Sequence, residues 1–246
     1  MSVRPLISAH RGRCGVEGLS AAERYRRAID LGVDYVEFDV RRTADGADVV
    51  YHDPRTPSGR SISNLSLEEV KTELGSEVLT LHELLDIAKG PVGLHIDLKQ
   101  VGYEADIVSL ALEHRNESQF VITSLEDVSI RTIKEQFPQV RAGLSLGRVV
   151  DGLPVWRRLT VRLSELFPGR RLRRCHADFV AVHEQLARLR VLRFSARKRI
   201  PAWVWPVDDE VEMARFLADS RVATLITNRP DLALRLRAKT RSADFS

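Results

Sequence analysis

Cysteine is scarce in this 246-residue chain: Cys14 and Cys175 are the only two. Two thiols at this length do not make a disulfide framework, and they read as reduced side chains. Long apolar runs are missing as well, with no stretch approaching ~18 residues, so a membrane-spanning helix is not expected. The opening MSVRPLISAH lacks the charged-then-apolar pattern of a signal peptide. These absences point to a soluble, unexported protein with the cytoplasm as its expected compartment. Internal repeats, low-complexity tracts and nucleic-acid-binding motifs are also lacking, so a solenoid and a nucleic-acid partner are not expected.

What is present is a full apolar complement, 43% of the residues, enough for one large core or two small ones. The net charge of +4 hides an asymmetry: residues 1–147 hold 17 Lys+Arg against 23 Asp+Glu, and residues 148–246 hold 21 against 11. A basic half fits either an anionic membrane surface or an ordinary solvated face.

Strand-like and helical runs alternate along the chain. Pro5 to His10 is short and apolar, then 20–32 carries a Ser cap, helical spacing at Ala22, Tyr25 and Ile29, and a closing Gly32. Tyr35 to Arg41 alternates, with Val36, Phe38 and Val40 on one side and Glu37 and Asp39 on the other. In a parallel barrel the outer face meets apolar helices, so Glu37 and Asp39 must point inward. Thr43 to Ala47 is too short for a crossover and reads as a hairpin turn at Asp45-Gly46, which sets His52 opposite Phe38. A Pro/Ser/Gly/Asn-rich loop over 54–65 precedes helices at 66–74 and 80–89. In the next strand, Val92 to Lys99, Leu94, Ile96 and Leu98 face outward and His95, Asp97 and Lys99 inward. Further strands are expected at Phe120–Leu125, Arg141–Leu146, Asp178–His183, Ala202–Pro206 and Val222–Thr227, with helices near 104–115, 126–136, 184–190 and 230–239. The sum is an α/β fold: a (β/α)8 TIM barrel with a small hairpin and loop insertion after the second strand, a single domain over residues 1–246.

One segment departs from a minimal barrel. Residues 154–167 place Trp156, Leu159, Leu163, Leu166 and Phe167 on one helical face with Arg157, Arg158 and Arg162 elsewhere, and Gly169-Arg-Arg-Leu-Arg-Arg174 follows. That pattern suits a helix packed on a barrel, and equally a peripheral membrane contact through 154–174.

The inward residues carry the chemistry. Glu37, Asp39 and Asp97 on adjacent strands repel one another unless they hold a cation or share protons. Hard oxygen donors suit one divalent ion, Mg²⁺ or Ca²⁺, better than Zn²⁺. Arg11 offers a fork and Lys99 a point charge to a phosphate, and His10 and His52 are suited to move protons at the attacking and leaving oxygens. Singly, a Glu-x-Asp is commonly half of an ion pair and a His-Asp commonly a turn. The convergence of all of them at neighbouring strand ends is what a purely structural role does not require.

In order and spacing, His10-Arg11-Gly12, Glu37-Phe38-Asp39, His52-Asp53 and Asp97-Leu98-Lys99 resemble the glycerophosphodiester phosphodiesterase family, more weakly continued at Trp205-Pro-Val and Thr227-Asn-Arg-Pro230. The resemblance implies this barrel, a divalent metal on Glu37, Asp39 and Asp97, His10 and His52 as acid and base, and cleavage of a glycerophosphodiester to glycerol 3-phosphate and an alcohol. Three departures stand out. Asp97 replaces the family's usual Glu, as in the related sphingomyelinase D and lysophospholipase D enzymes. Glu17-Gly18-Leu19 replaces Glu-Asn-Thr, so only Glu17 carries over. Asn228 replaces an acid. Glu17, Ser124 at a strand end and Trp205 are further pocket candidates, and His95 either orients the metal shell or is a satisfied core histidine. His82 and His114 are expected at the surface, and His183 at the mouth has no assigned partner. The alternatives to the leading reading are a lysophospholipase D or sphingomyelinase D-like enzyme acting on a lysolipid, and a catalytically silent phosphate- or lipid-binding barrel.

Overall fold

Eight parallel strands close on themselves in the computed structural model, which describes residues 4–243. In chain order the strands are β1 (Leu6–Ala9), β2 (Tyr35–Arg42), β3 (Asp48–Val50), β4 (Leu79–Thr80), β5 (Gly93–Leu98), β6 (Phe120–Ser124), β7 (Arg141–Leu146), β8 (Phe179–His183), β9 (Ala202–Trp205) and β10 (Val222–Thr227). The barrel runs β1-β2-β5-β6-β7-β8-β9-β10 and returns to β1, every neighbour parallel. Strands β3 and β4 continue antiparallel from β2 through the turn at Asp45-Gly46, forming the expected insertion.

The helices are α1 (Ala21–Asp30), α2 (Leu67–Leu74), α3 (Leu81–Ile87), α4 (Glu104–His114), α5 (Asp127–Gln136), α6 (Val155–Leu166), α7 (Gly169–Cys175), α8 (Glu184–Leu186), α9 (Leu192–Lys198), α10 (Glu210–Ala218) and α11 (Pro230–Ala243). A π-helical segment, Ala187–Val191, joins α8 to α9. Their starts are written locally: Ser20/Glu23, Ser66/Glu69 and Thr80/Glu83 form capping boxes at α1, α2 and α3. Each box satisfies two otherwise orphaned amides, and losing the cap costs about 1 kcal/mol.

Strand alternation divides the core in two. Outward residues such as Val36, Phe38, Leu94, Ile96, Phe120 and Leu144 pack with the helices. Inside, Tyr35, Phe179 and Trp203 plug the lower barrel, with ring centroids 5.1 Å apart for Tyr35–Trp203 and 4.8 Å for Phe179–Trp203. Two glycines make room for that plug: a Cβ on Gly93 would lie 2.4 Å from the Tyr35 ring, and one on Gly143 2.3 Å from Phe179. The edge of His95 rests on Trp203 at 5.0 Å, and the charged residues stand above it, toward the C-terminal ends of the strands. An aromatic floor thus underlies a charged layer at the barrel mouth. Phe38→Ala, which empties the outer core behind Glu37 and Asp39, is expected to cost about 3–5 kcal/mol.

Both cysteines are free and buried, and burial pushes the Cys175 thiol up to about 11, so Cys175 is not a reactive thiolate.

Candidate active site

Parallel register brings the expected residues together: Asp39 stands beside Asp97 and Glu37 beside His95 across β2 and β5. The hairpin returns Tyr51 to donate to Asp39 O at 3.1 Å, which leaves His52 at the same rim. On the other side, the turn after β1 is tight: Arg11 has φ +53° and Gly12 φ +61°. A Cβ on Gly12 would lie 2.4 Å from Tyr25, so glycine there serves both the left-handed backbone and the close approach. The turn aims the Arg11 amide at Glu37 Oε2, 2.7 Å away, and brings Arg11 Nε to 3.2 Å from Asp39 Oδ2, off the direction of a hydrogen bond.

Lys99 lies across two carboxylates, its Nζ 2.8 Å from Asp39 Oδ1 and 2.5 Å from Asp97 Oδ2. Burial opposes its charge, but Asp97 and Asp39 outweigh that and hold the ammonium well above the usual lysine range. Burial likewise opposes the Asp39 anion, and Lys99 with Arg11 keeps its carboxyl below the usual range. Glu37 is the exception. Burial first, then Asp39 and Asp97, push its carboxyl well above the usual value. His10 Nε2 lies 4.0 Å from its Oε2.

Two imidazoles flank this cluster. His10 Nδ1 lies 2.8 Å from Asn228 Oδ1. Asn228 Nδ2 donates to Asp208 Oδ2 at 2.5 Å, and Asp208 Oδ1 accepts from Asn228 N at 2.8 Å and Thr227 Oγ1 at 3.0 Å. A carboxylate only accepts, so Asp208 turns the Asn228 amide NH₂ toward itself and presents the carbonyl to His10. That assigns the proton to His10 Nδ1 and leaves the Nε2 lone pair toward the cluster. Burial, then Arg11, lowers His10 to about 4, so the ring is neutral at neutral pH. At His52, Nδ1 lies 2.6 Å from Asp53 Oδ1, and burial lowers the ring from its ordinary value.

Two cavities meet at this cluster, sharing Arg11, Asp39 and His52. One, of about 890 Å³, is lined by polar groups including Glu17, Arg13, Arg24 and Asp231. The other, of about 700 Å³, runs past His10, Asp97 and Lys99 to Val149, Val150, Leu189 and Trp205. Trp205 points inward and stacks edge-on with His183 at 5.4 Å, and both side chains line the second cavity.

Ser124 is corrected: it faces outward, fully buried, with Oγ donating to Leu98 O at 2.9 Å and accepting from Glu126 N at 3.2 Å. The inward neighbour Thr123 takes the place expected of it, donating to Asp97 Oδ1 and lying 2.9 Å from His95 Nε2. His95 is buried, and burial lowers it to about 4. His82 and His114 stack on each other, 6.0 Å apart, on the exposed outer faces of α3 and α4. Two participants escaped sequence reading. Thr123 carries no motif, and Asp208 sits in the β9–α10 connection, where only its place after Trp205-Pro-Val hinted at the site.

The donor set fits a hard divalent ion in chemical type: three carboxyl groups, of which Glu37 is buried beside Asp39 and Asp97 without a lysine or arginine in ion-pair contact among the described residues, so that a cation would favour its ionised form. The described arrangement does not yet converge, since among the described residues no three acidic, histidine or cysteine groups meet closely enough to hold an ion. Lys99 bridges Asp39 and Asp97 and so occupies the oxygens of two of the three.

Barrels of this topology place their chemistry at the C-terminal strand ends, and here that end is charged in the manner suited to a phosphodiester, which defines the class as phosphoric diester hydrolases. The model of the Glycerophosphoryl diester phosphodiesterase family matches residues 20–232, and the chain belongs to that family. A glycerophosphodiester phosphodiesterase of Caldanaerobacter subterraneus is 28% identical over 162 residues, 58% of this chain and 67% of that protein. Among solved structures, a glycerophosphodiester phosphodiesterase from Parabacteroides distasonis shares the fold with a TM-score of 0.81 at 19% identity, covering 98% of this chain and 100% of that one. A phosphodiesterase from Oleispira antarctica, solved with the product sn-glycerol-3-phosphate, matches with a TM-score of 0.72 at 20% identity over 95% and 96%.

Proposed function

We propose that the chain, as one barrel domain, hydrolyses glycerophosphodiesters to glycerol 3-phosphate and an alcohol, with His10 and His52 as the proton carriers. The observation that carries this reading is the pair of imidazoles, each with Nδ1 engaged by a partner, on either side of the Arg11–Asp39–Lys99 cluster where two cavities join. The product held by the Oleispira antarctica phosphodiesterase supports the same substrate class. In this reading the phosphate lies at the junction, the Arg11 guanidinium and Lys99 ammonium offset its charge, and the two esterified groups occupy the two cavities. His10, neutral and with its Nε2 lone pair toward the cluster, takes a proton from the water whose oxygen bonds to phosphorus. His52, its Nδ1 held by Asp53, returns one to the departing alcohol oxygen as the P–O bond breaks. Glu37, Asp39 and Asp97 are the residues that would hold a divalent ion, Mg²⁺ or Ca²⁺. Such an ion supplies Lewis-acid polarisation of a phosphoryl oxygen.

A second reading has its own observation. The cavity beyond Trp205 is walled by Val149, Val150, Leu166, Leu186 and Leu189, which suits an acyl chain and hence a lysolipid diester. Turnover of glycerophosphocholine and lysophosphatidylcholine, measured side by side with each metal and after chelation, tests both. Hydrolysis of neither, with metal present, leaves the silent binding barrel as the surviving account.

A further inference from the structure

Helix α6 lies on the barrel the wrong way round. A helix packed against a barrel turns its apolar stripe inward, yet the one buried residue of Val155–Leu166 is Glu165. Its Oε1 accepts from the backbone N–H of Gly147 at 2.8 Å and of Arg148 at 2.7 Å, and its Oε2 pairs with Arg162 at 2.7 Å. These bonds anchor the helix by its polar side. On the opposite side, Trp156, Leu159, Leu163 and Phe167 are 63%, 59%, 56% and 54% exposed. Arginines frame the stripe: the Arg157 guanidinium lies 5.1 Å over the Trp156 ring and that of Arg190 4.1 Å over Phe167. Residues 148–199 as a whole carry 14 Lys+Arg against 4 Asp+Glu.

We propose that this face docks the barrel on an anionic phospholipid surface, with α6 lying in the interface plane. Aromatic and leucine side chains on one face, ringed by cations, are what an interfacial helix needs. Among the described residues no helix is long and apolar enough to cross a bilayer, so docking is peripheral. Charge selects the occupant: a second copy would bring the same surplus of positive charge against this one, whereas an anionic leaflet offers the opposite sign. Position gives the docking a purpose, because Val149, Val150, Leu166 and Leu189 belong to the apolar cavity that reaches His10 and Lys99. The docked face would put that mouth at the level of lipid tails. The inference deepens the lysolipid reading of the site, but vesicle binding is read without turnover, so either can fail alone.

The test is co-sedimentation of the full chain with phosphatidylglycerol/phosphatidylcholine vesicles and with pure phosphatidylcholine, together with tryptophan emission. Binding to the anionic vesicles with a blue shift, weaker on phosphatidylcholine and in high salt, is the expected result. The double variants Trp156→Ala/Leu163→Ala and Arg157→Glu/Arg190→Glu should each lose roughly 10-fold or more in vesicle affinity. Their turnover of a soluble diester should be unchanged, which shows the fold intact. Three results overturn the proposal: wild-type protein that stays in the supernatant, variants that bind like wild type, or a wild-type dimer that Trp156→Ala/Leu163→Ala converts to monomer.

Discussion

Asn228 Oδ1 sits 2.8 Å from His10 Nδ1, and the amide cannot turn over because Asp208 holds its other end. Asn228 therefore orients the imidazole, with the Asp208 carboxylate standing behind it. Asn228→Ala is expected to lower kcat by roughly 10–100-fold with little change in KM, as for loss of an orienting partner. Asp208→Ala should act in the same direction, and the double variant should be no worse than the more damaging single. Additive losses in that cycle would break the relay.

The two histidines separate by leaving group. His10→Ala should abolish hydrolysis of both glycerophosphocholine and a p-nitrophenyl diester. His52→Ala should abolish the first and retain much of the second, because a weakly basic leaving group needs no proton. Equal losses on both substrates would remove the assignment of His52 as acid.

Charge on Glu37 is disfavoured in the folded state, since burial first, then Asp39 and Asp97, push its carboxyl well above the usual value. Glu37→Gln is expected to raise Tm by a few °C while abolishing turnover. Mg²⁺ or Ca²⁺ should raise the Tm of the wild type and leave that of the variant unmoved. A variant that melts earlier than wild type would contradict the charge balance described here.

Acid lability follows from His10 and His95, both lowered from 6.5 to about 4 by burial. The unfolded chain binds more protons than the folded one between these values, so stability falls as pH drops from 6.5 toward 4. Each histidine is expected to cost about 2 kcal/mol between pH 7 and pH 5. Urea unfolding at the two pH values measures the sum, and His95→Gln should remove about half of it.

Much of this site was readable from residue order. The period-two alternation around Glu37 and Asp39 and around Asp97 and Lys99 put them inside a barrel because one face of each strand is wholly apolar. The short Asp45-Gly46 turn carried His52 back beside them, while the register of β2 against β5 came from the structure. What order alone could not give depended on neighbours distant in the chain. Ser124 and Thr123 differ by one register step, which reverses a side chain from the outer core to the mouth. Asp208 reaches His10 only through Asn228, twenty residues later, and nothing local marks the pairing. The period of α6 reveals a stripe but not which way it faces; Glu165, capping Gly147 and Arg148, decides that.

The central claim is tested most directly by following glycerophosphocholine by phosphorus NMR with the purified chain and Mg²⁺ or Ca²⁺. The account predicts conversion to glycerol 3-phosphate, lost on chelation and lost in His10→Ala. An unchanged diester resonance in the presence of either metal, from protein that is folded, would contradict it.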